Sequence, residues 1–316
     1  MNAARKTSTT MKSLPRLSVI ARNLALVTGA VLLTWLAGCT TSTQQLPEQT
    51  KPQAGTPALV SQQPTSPNRQ YLYADAPTKT SYPNQWTVLA NIGYESAYDE
   101  TFKNPAWVAY HLSGTPHQAP LRPEIGYPTD ERTVSRVSQS DYPPHNESDN
   151  PPNYDHGHMA ANNVIGMYFS ATAQEETFFM TNMLMQRHGV NAGPWKSVEG
   201  AETSTWTPKV HDIWVVCGPV YTTADDQPIN PAKRYGAKQV CIAEAFFKIV
   251  MTEDSPGKVR TLAFIMPQED AAGKKPATFL TSIREIERRT GLNFFSSLPQ
   301  AQQDEIELKV AAALWK

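Results

Sequence analysis

Five apolar, β-branched runs constrain this chain more than any other feature. "WTVLANIGYESAYD" (86–99) and "PAWVAYHLS" (105–113) alternate at the period of a strand. "KVHDIWVVCGPVY", "VCIAEAFFKIVM" and "VRTLAFIMP" follow downstream as longer apolar strands. Period-two alternation beside near-continuous apolar runs describes a sheet with one or both faces covered. Between them, 114–152 is rich in Pro, Ser and Asp and reads as loop, while "ETFFMTNMLMQ" (176–186) reads as a buried strand running into a polar turn. "PWKSVEGAETSTW" opens with a proline suited to a first helical turn. "TSIREIERRTGL" sets Ile283, Ile286 and Leu292 among charges, the pattern of a short amphipathic helix. No internal repeat is visible. The expected fold class is α+β, a mixed antiparallel sheet core in one domain over 81–316.

Upstream of that domain the composition changes. Residues 39–80 are dominated by Thr, Ser, Gln and Pro ("TTSTQQLPEQTKPQAGTPALVSQQPTSPNRQ"). Such a segment buries too little apolar surface to offset its ordering entropy, and it reads as a disordered tether. Residues 1–38 carry Arg5, Lys6, Lys12, Arg16 and Arg22, then the apolar run "LALVTGAVLLTWLAG" ending at Cys39. A charged start, an apolar core and small residues before a cysteine describe a bacterial export signal. Leu36-Ala37-Gly38-Cys39 looks like a lipobox, in which Cys39 is acylated and becomes the membrane anchor. A transmembrane anchor is the rival reading, but the apolar run falls short of the roughly 20 residues a span needs. Thr40 after the cysteine is not an inner-membrane retention aspartate, so the outer membrane of a Gram-negative bacterium is the expected address. Without the five leader cations the formal charge moves from −1 to −6. An acidic chain does not draw polyphosphate by its overall field, so any nucleic-acid contact must be local.

Two cysteines remain, Cys217 and Cys241, each inside a strand-like run. In an oxidising compartment they form a disulfide candidate, with two buried free thiols as the alternative.

The polar stretch "NYDHGHMAANN" (153–163) is the chemical focus. Residues two apart on an extended segment point to one side, so His156 and His158 can face the same site. Zinc would ask for a third strong ligand. Downstream the chain instead offers Asn182, Asn191 and Glu199, oxygen donors suited to a hard cation such as magnesium.

Taken together, "DHGHM" (155–159), "TNMLMQ" (181–186) and "NAGPWKSVE" (191–199), in that order and spacing, resemble the DNA/RNA non-specific endonuclease family. The resemblance covers essentially all of 81–316 and implies a ββα-metal active site. It implies His158 as the general base that takes a proton from the attacking water, a task suited to a neutral imidazole. Asn191 takes the place of the single protein ligand to Mg2+, with Mn2+ as the alternative ion. Glu199 matches the acid that holds metal-bound water; eight residues along a helix is just over two turns, which leaves it near the face of Asn191. Asn182 matches the residue that helps orient the base, and Asp155 is read as fixing the loop. Trp195 is read as core packing.

Two departures stand out. The family carries arginine where this chain has His156, and a histidine supplies phosphate contact only while protonated, so its help should fade above pH ~6.5. The supporting arginine expected upstream is Arg122, with Arg132 and Arg136 as rivals. The implied function is magnesium-dependent hydrolysis of phosphodiesters in DNA and RNA, through phosphate contacts rather than base reading. A narrower phosphodiesterase and an inactive binding module are the alternatives. Family members are often dimers, which leaves a homodimer open.

Overall fold

The computed structural model describes residues 69–144, 153–221, 229–269 and 271–316. The expected leader, Cys39 and most of the tether lie outside the described residues. The fold begins before residue 81. Arg69–Tyr71 forms a short helical turn, Tyr71 and Leu72 are buried, and Thr78–Lys79 pairs antiparallel with Leu292–Asn293. The expected tether boundary at 80 therefore falls inside folded structure. The reason is that Tyr71 and Leu72 are apolar enough to dock while the Thr/Ser/Gln run before them is not.

The centre is a seven-stranded antiparallel sheet. Its order is Leu280–Thr281, Lys258–Pro267, Ala245–Ser255, Asp212–Val220, Asn104–Ser113, Glu95–Asp99, Thr87–Ala90. The middle strands are buried on both faces, which is why they read as apolar runs rather than strict alternation. Their alternation still assigns the faces. On Ala245–Ser255, Phe246 and Lys248 meet Trp195, whereas Phe247 meets Phe294 on the opposite side. One face thus carries the hairpin and long helix of the functional site, and the other carries the chain after residue 282. There Ile283–Thr290 is the expected amphipathic helix, with Ile283 and Ile286 buried, Ser282 accepting from Glu285 N and Gly291 closing it at φ +67°.

The run "VCIAEAFFKIVM" is two strands, not one. Val240–Ile242 pairs with Lys233–Tyr235 in a separate small sheet, and the long strand starts at Ala245. This overturns the disulfide. Cys217 lies opposite Val108 and Lys248 in the large sheet, Cys241 opposite Arg234 in the small one, and both are free and buried. Cys217 Sγ instead donates to the carbonyl of Met159 at 3.3 Å, a contact from the sheet to the segment just after His158.

Candidate active site

A hairpin and a helix build the site. Tyr154–His158 pairs with Met183–Arg187 in the register His156–Met185 and His158–Met183. His156 and His158 share one face of this hairpin, as their spacing predicts, and Asp155 and Gly157 take the other. Gly157 is required by packing: a Cβ there would sit 2.1 Å from Oε1 of Gln186, whose side chain crosses beneath it. The chain between the two strands forms short helices, Asn162–Tyr168 and Ala171–Glu176. After Arg187 the backbone is helical from 188 to 210, with a kink at Gly193 (φ −99°, ψ −116°) just before Pro194. The kink follows from the missing Pro194 N–H and the steric demand proline makes on the residue before it. Two strands followed by a helix give the ββα arrangement.

These elements enclose a cavity of about 1170 Å³ lined by His158, Asn191, Glu199, Arg122, His156 and Lys196, among others. His158 is nearly buried. One ring nitrogen donates to the carbonyl of His156, while Nε2 is buried without a partner among the described residues. That fixes the Nδ1–H tautomer and leaves the Nε2 lone pair available. Burial, with the Arg122 charge in support, pushes the His158 pKa down to about 3, so the imidazole is neutral across the working range.

Asn191 Nδ2 donates to Asp155 Oδ2 at 2.8 Å. A carboxylate only accepts, so the amide nitrogen must face Asp155, and Oδ1 is the atom left over for another partner. Asp155 also pairs with His188 Nδ1 at 2.9 Å, which places it as a brace for Asn191. Glu199 is half-buried at the cavity wall, and burial raises its pKa to about 7 against the opposing pull of Lys248. Its carboxylate also accepts from Trp195.

Three expectations need correcting or sharpening. Asn182 does not line the cavity. It is fully buried, its Nδ2 donating to Ala160 O (2.9 Å) and Thr177 O (2.8 Å), its Oδ1 accepting from Ala160 N (2.8 Å). With every side-chain group engaged by backbone, it pins the chain behind His158 and is not a reacting group.

His156 is not a protonated phosphate contact. Its ring is stacked between Tyr127 (4.1 Å, 11°) and Tyr142 (4.9 Å, 15°), and burial pushes its pKa down to about 4. A ring held neutral has no cationic help to lose at pH 6.5. Replacing His156 by Phe keeps the stack, so activity should stay within about threefold with an unchanged pH profile. A larger loss confined to acidic conditions would return His156 to the phosphate.

Arg122 stands apart from its two rivals. Arg132 is spent on Asp130, Asn91 and the carbonyl of Ala90, and Arg136 pairs with Glu131. Arg122 is exposed at the cavity, propped by Tyr127 Oη (3.2 Å) and the ring of Phe178 (4.7 Å). Lys196, an exposed second cation on the cavity wall, was not singled out from the sequence, where it is one more lysine on a helix.

The donors present fit a hydrated hard cation: one orientationally fixed amide oxygen on Asn191, a carboxylate on Glu199 and ample volume between them and His158. A hairpin-and-helix unit that turns an unprotonated imidazole and an amide oxygen into one cavity is the architecture of a ββα-type nuclease. The sequence comparisons agree, because the model for DNA/RNA non-specific endonucleases matches residues 76–301 and the chain belongs to that family. Among curated relatives, the mitochondrial nuclease EXOG of Danio rerio is 27% identical over 223 residues, 66% of this chain and 61% of its own length. EXOG of Homo sapiens is 28% identical over 216 residues, 64% of this chain and 55% of its own length. The Serratia marcescens nuclease is 26% identical over 215 residues, covering 67% and 76%. The chain thus spans only about six-tenths of the length of the first two. A chain in the crystal structure of the EndoG/EndoGI complex superposes with a TM-score of 0.57 at 24% identity, over 70% of this chain and 90% of that one, which supports the fold.

Proposed function

We propose that this chain hydrolyses phosphodiester bonds of DNA and RNA with magnesium bound at Asn191, or manganese in its place. The observation that carries the reading is the pairing of a base fixed as the Nδ1–H tautomer with an amide whose oxygen is turned away from Asp155. His158 Nε2 takes the proton from the attacking water. Arg122 and Lys196 supply fixed positive charge to the phosphate in a chain that is otherwise acidic. Glu199 orients water at the cavity wall. A divalent ion, when bound, neutralises charge on the scissile phosphate and stabilises the leaving oxygen.

The test is incubation of plasmid and structured RNA with the purified chain, with and without magnesium. Cleavage of both that is abolished by chelator is the expected result, and inertness toward both ends the proposal. Because Glu199 titrates near 7 and a bound cation favours its carboxylate, apparent magnesium affinity should be higher at pH 8 than at pH 6.

The Leu36-Ala37-Gly38-Cys39 tetrapeptide supports a lipid anchor on a bacterial envelope membrane, with the outer membrane favoured by Thr40. In fractionated cells the activity should then sediment with membranes and be released by Cys39→Ala; soluble activity in the unaltered chain would remove the anchor.

A further inference from the structure

Trp195 lies behind the site, fully buried, on the helix that carries Asn191 and Glu199. Its indole N–H points at two functional groups. Nε1 donates to the carbonyl of His158 at 3.3 Å, and the same side chain donates to the carboxylate of Glu199. An N–H shared between two acceptors makes longer bonds than an undivided one, in keeping with 3.3 Å. The ring cannot turn away. Lys248 Nζ lies 4.4 Å from its centroid, and Phe246 meets it edge-on at 6.0 Å. Lys248 is itself fixed, fully buried and paired with Glu202 Oε1 at 3.0 Å, with Tyr110 Oη accepting from it at 3.2 Å. The hairpin with the base and the helix with the acid are thus tied through one indole nitrogen, held in place from the central sheet.

We propose that Trp195 is a positioning residue of this active site, its single N–H setting the base-bearing strand and the Glu199 carboxylate in fixed relation to each other. This rests on the nuclease reading above, and it adds a named group to that mechanism where packing alone had been expected.

Trp195→Phe removes the N–H and keeps most of the ring. Glu199 loses a donor to its charged form, so its titration midpoint should move to higher pH, followed by carboxyl-carbon NMR on the full metal-free chain. With plasmid and magnesium, kcat should fall about 10–100-fold, the range for groups that orient an active-site ligand, while KM stays within about twofold. The acid limb of the rate profile should shift in the same direction as the midpoint. Phe246→Leu perturbs packing on the same ring without touching the N–H, and should move neither the midpoint nor the limb. An unmoved Glu199 midpoint in Trp195→Phe overturns the inference, whether or not the unaltered chain cuts nucleic acid. So do equal losses of kcat in the two variants. A shifted midpoint in a chain inert toward plasmid and RNA would leave the tie standing and sink the nuclease reading instead.

Discussion

His158→Ala should lower turnover of plasmid and RNA by about 10²–10⁴-fold, the usual contribution of a positioned base. KM should change little, because the phosphate is met by Arg122, Lys196 and the ion site rather than by the imidazole. The same variant carries a stability signature of known sign. In the folded chain the His158 pKa is about 3, below the ordinary histidine value of 6.5, so between those limits the unfolded chain binds the extra proton. Stability from this group is complete above pH ~6.5 and drains away as pH falls toward 3. Alanine removes that liability, so the gap between melting temperatures at pH 7 and pH 5 should narrow in His158→Ala. Steady-state kinetics at pH 7 and thermal melts at the two pH values check both parts. Turnover within a few-fold of the unaltered chain would dismiss His158 as the base.

Lys248→Met should destabilise the domain by about 3–5 kcal/mol, because it strands a carboxylate in the interior. Glu202 is fully buried, its Oε1 paired with Lys248 (3.0 Å) and its Oε2 accepting from Tyr110 Oη (2.8 Å). Taking away the ammonium leaves the hydroxyl as its remaining side-chain partner. The double variant Lys248→Met/Glu202→Gln should recover much of the loss, since removing both charges also removes their desolvation penalty. Denaturant unfolding of the four members of the cycle gives the coupling directly. If the two single losses simply add, the pair is not the pin between sheet and helix described above. Glu199 should also respond, because Lys248 is the charge that holds its pKa down.

The sequence made the sheet legible wherever strands were long and apolar, as in Asp212–Val220 and Lys258–Pro267. It misled at 240–251, because an apolar run does not say which neighbour it pairs with. Val240–Ile242 belongs with Lys233–Tyr235, and Cys241 N donates to the carbonyl of Phe102, so the chain must turn before the long strand begins. Asn162–Tyr168 and Ala171–Glu176 escaped notice because two-turn helices show too little periodicity to register.

At the site, spacing identified His158, Asn191 and Glu199, since these sit on one hairpin and the helix directly after it. What spacing could not give was surroundings. The stack around His156 is made by Tyr127 and Tyr142 from a loop with no regular pattern, and that stack is what makes the ring neutral. Asn182 matched its motif position, yet only its backbone partners reveal that it braces rather than reacts. Trp195 looked like any core tryptophan until its N–H had an address.

The glycine between the two histidines has a bearing on how such sites diversify. Since the amide arm of residue 186 runs where any methyl at 157 would go, the middle of the triplet is closed to change unless its cross-strand neighbour shrinks at the same time. The first member faces a slot between two phenol rings that accepts any flat, uncharged group. Drift in this tripeptide is therefore channelled to position 156, and a lineage can shed a cation there without disturbing the imidazole two residues on.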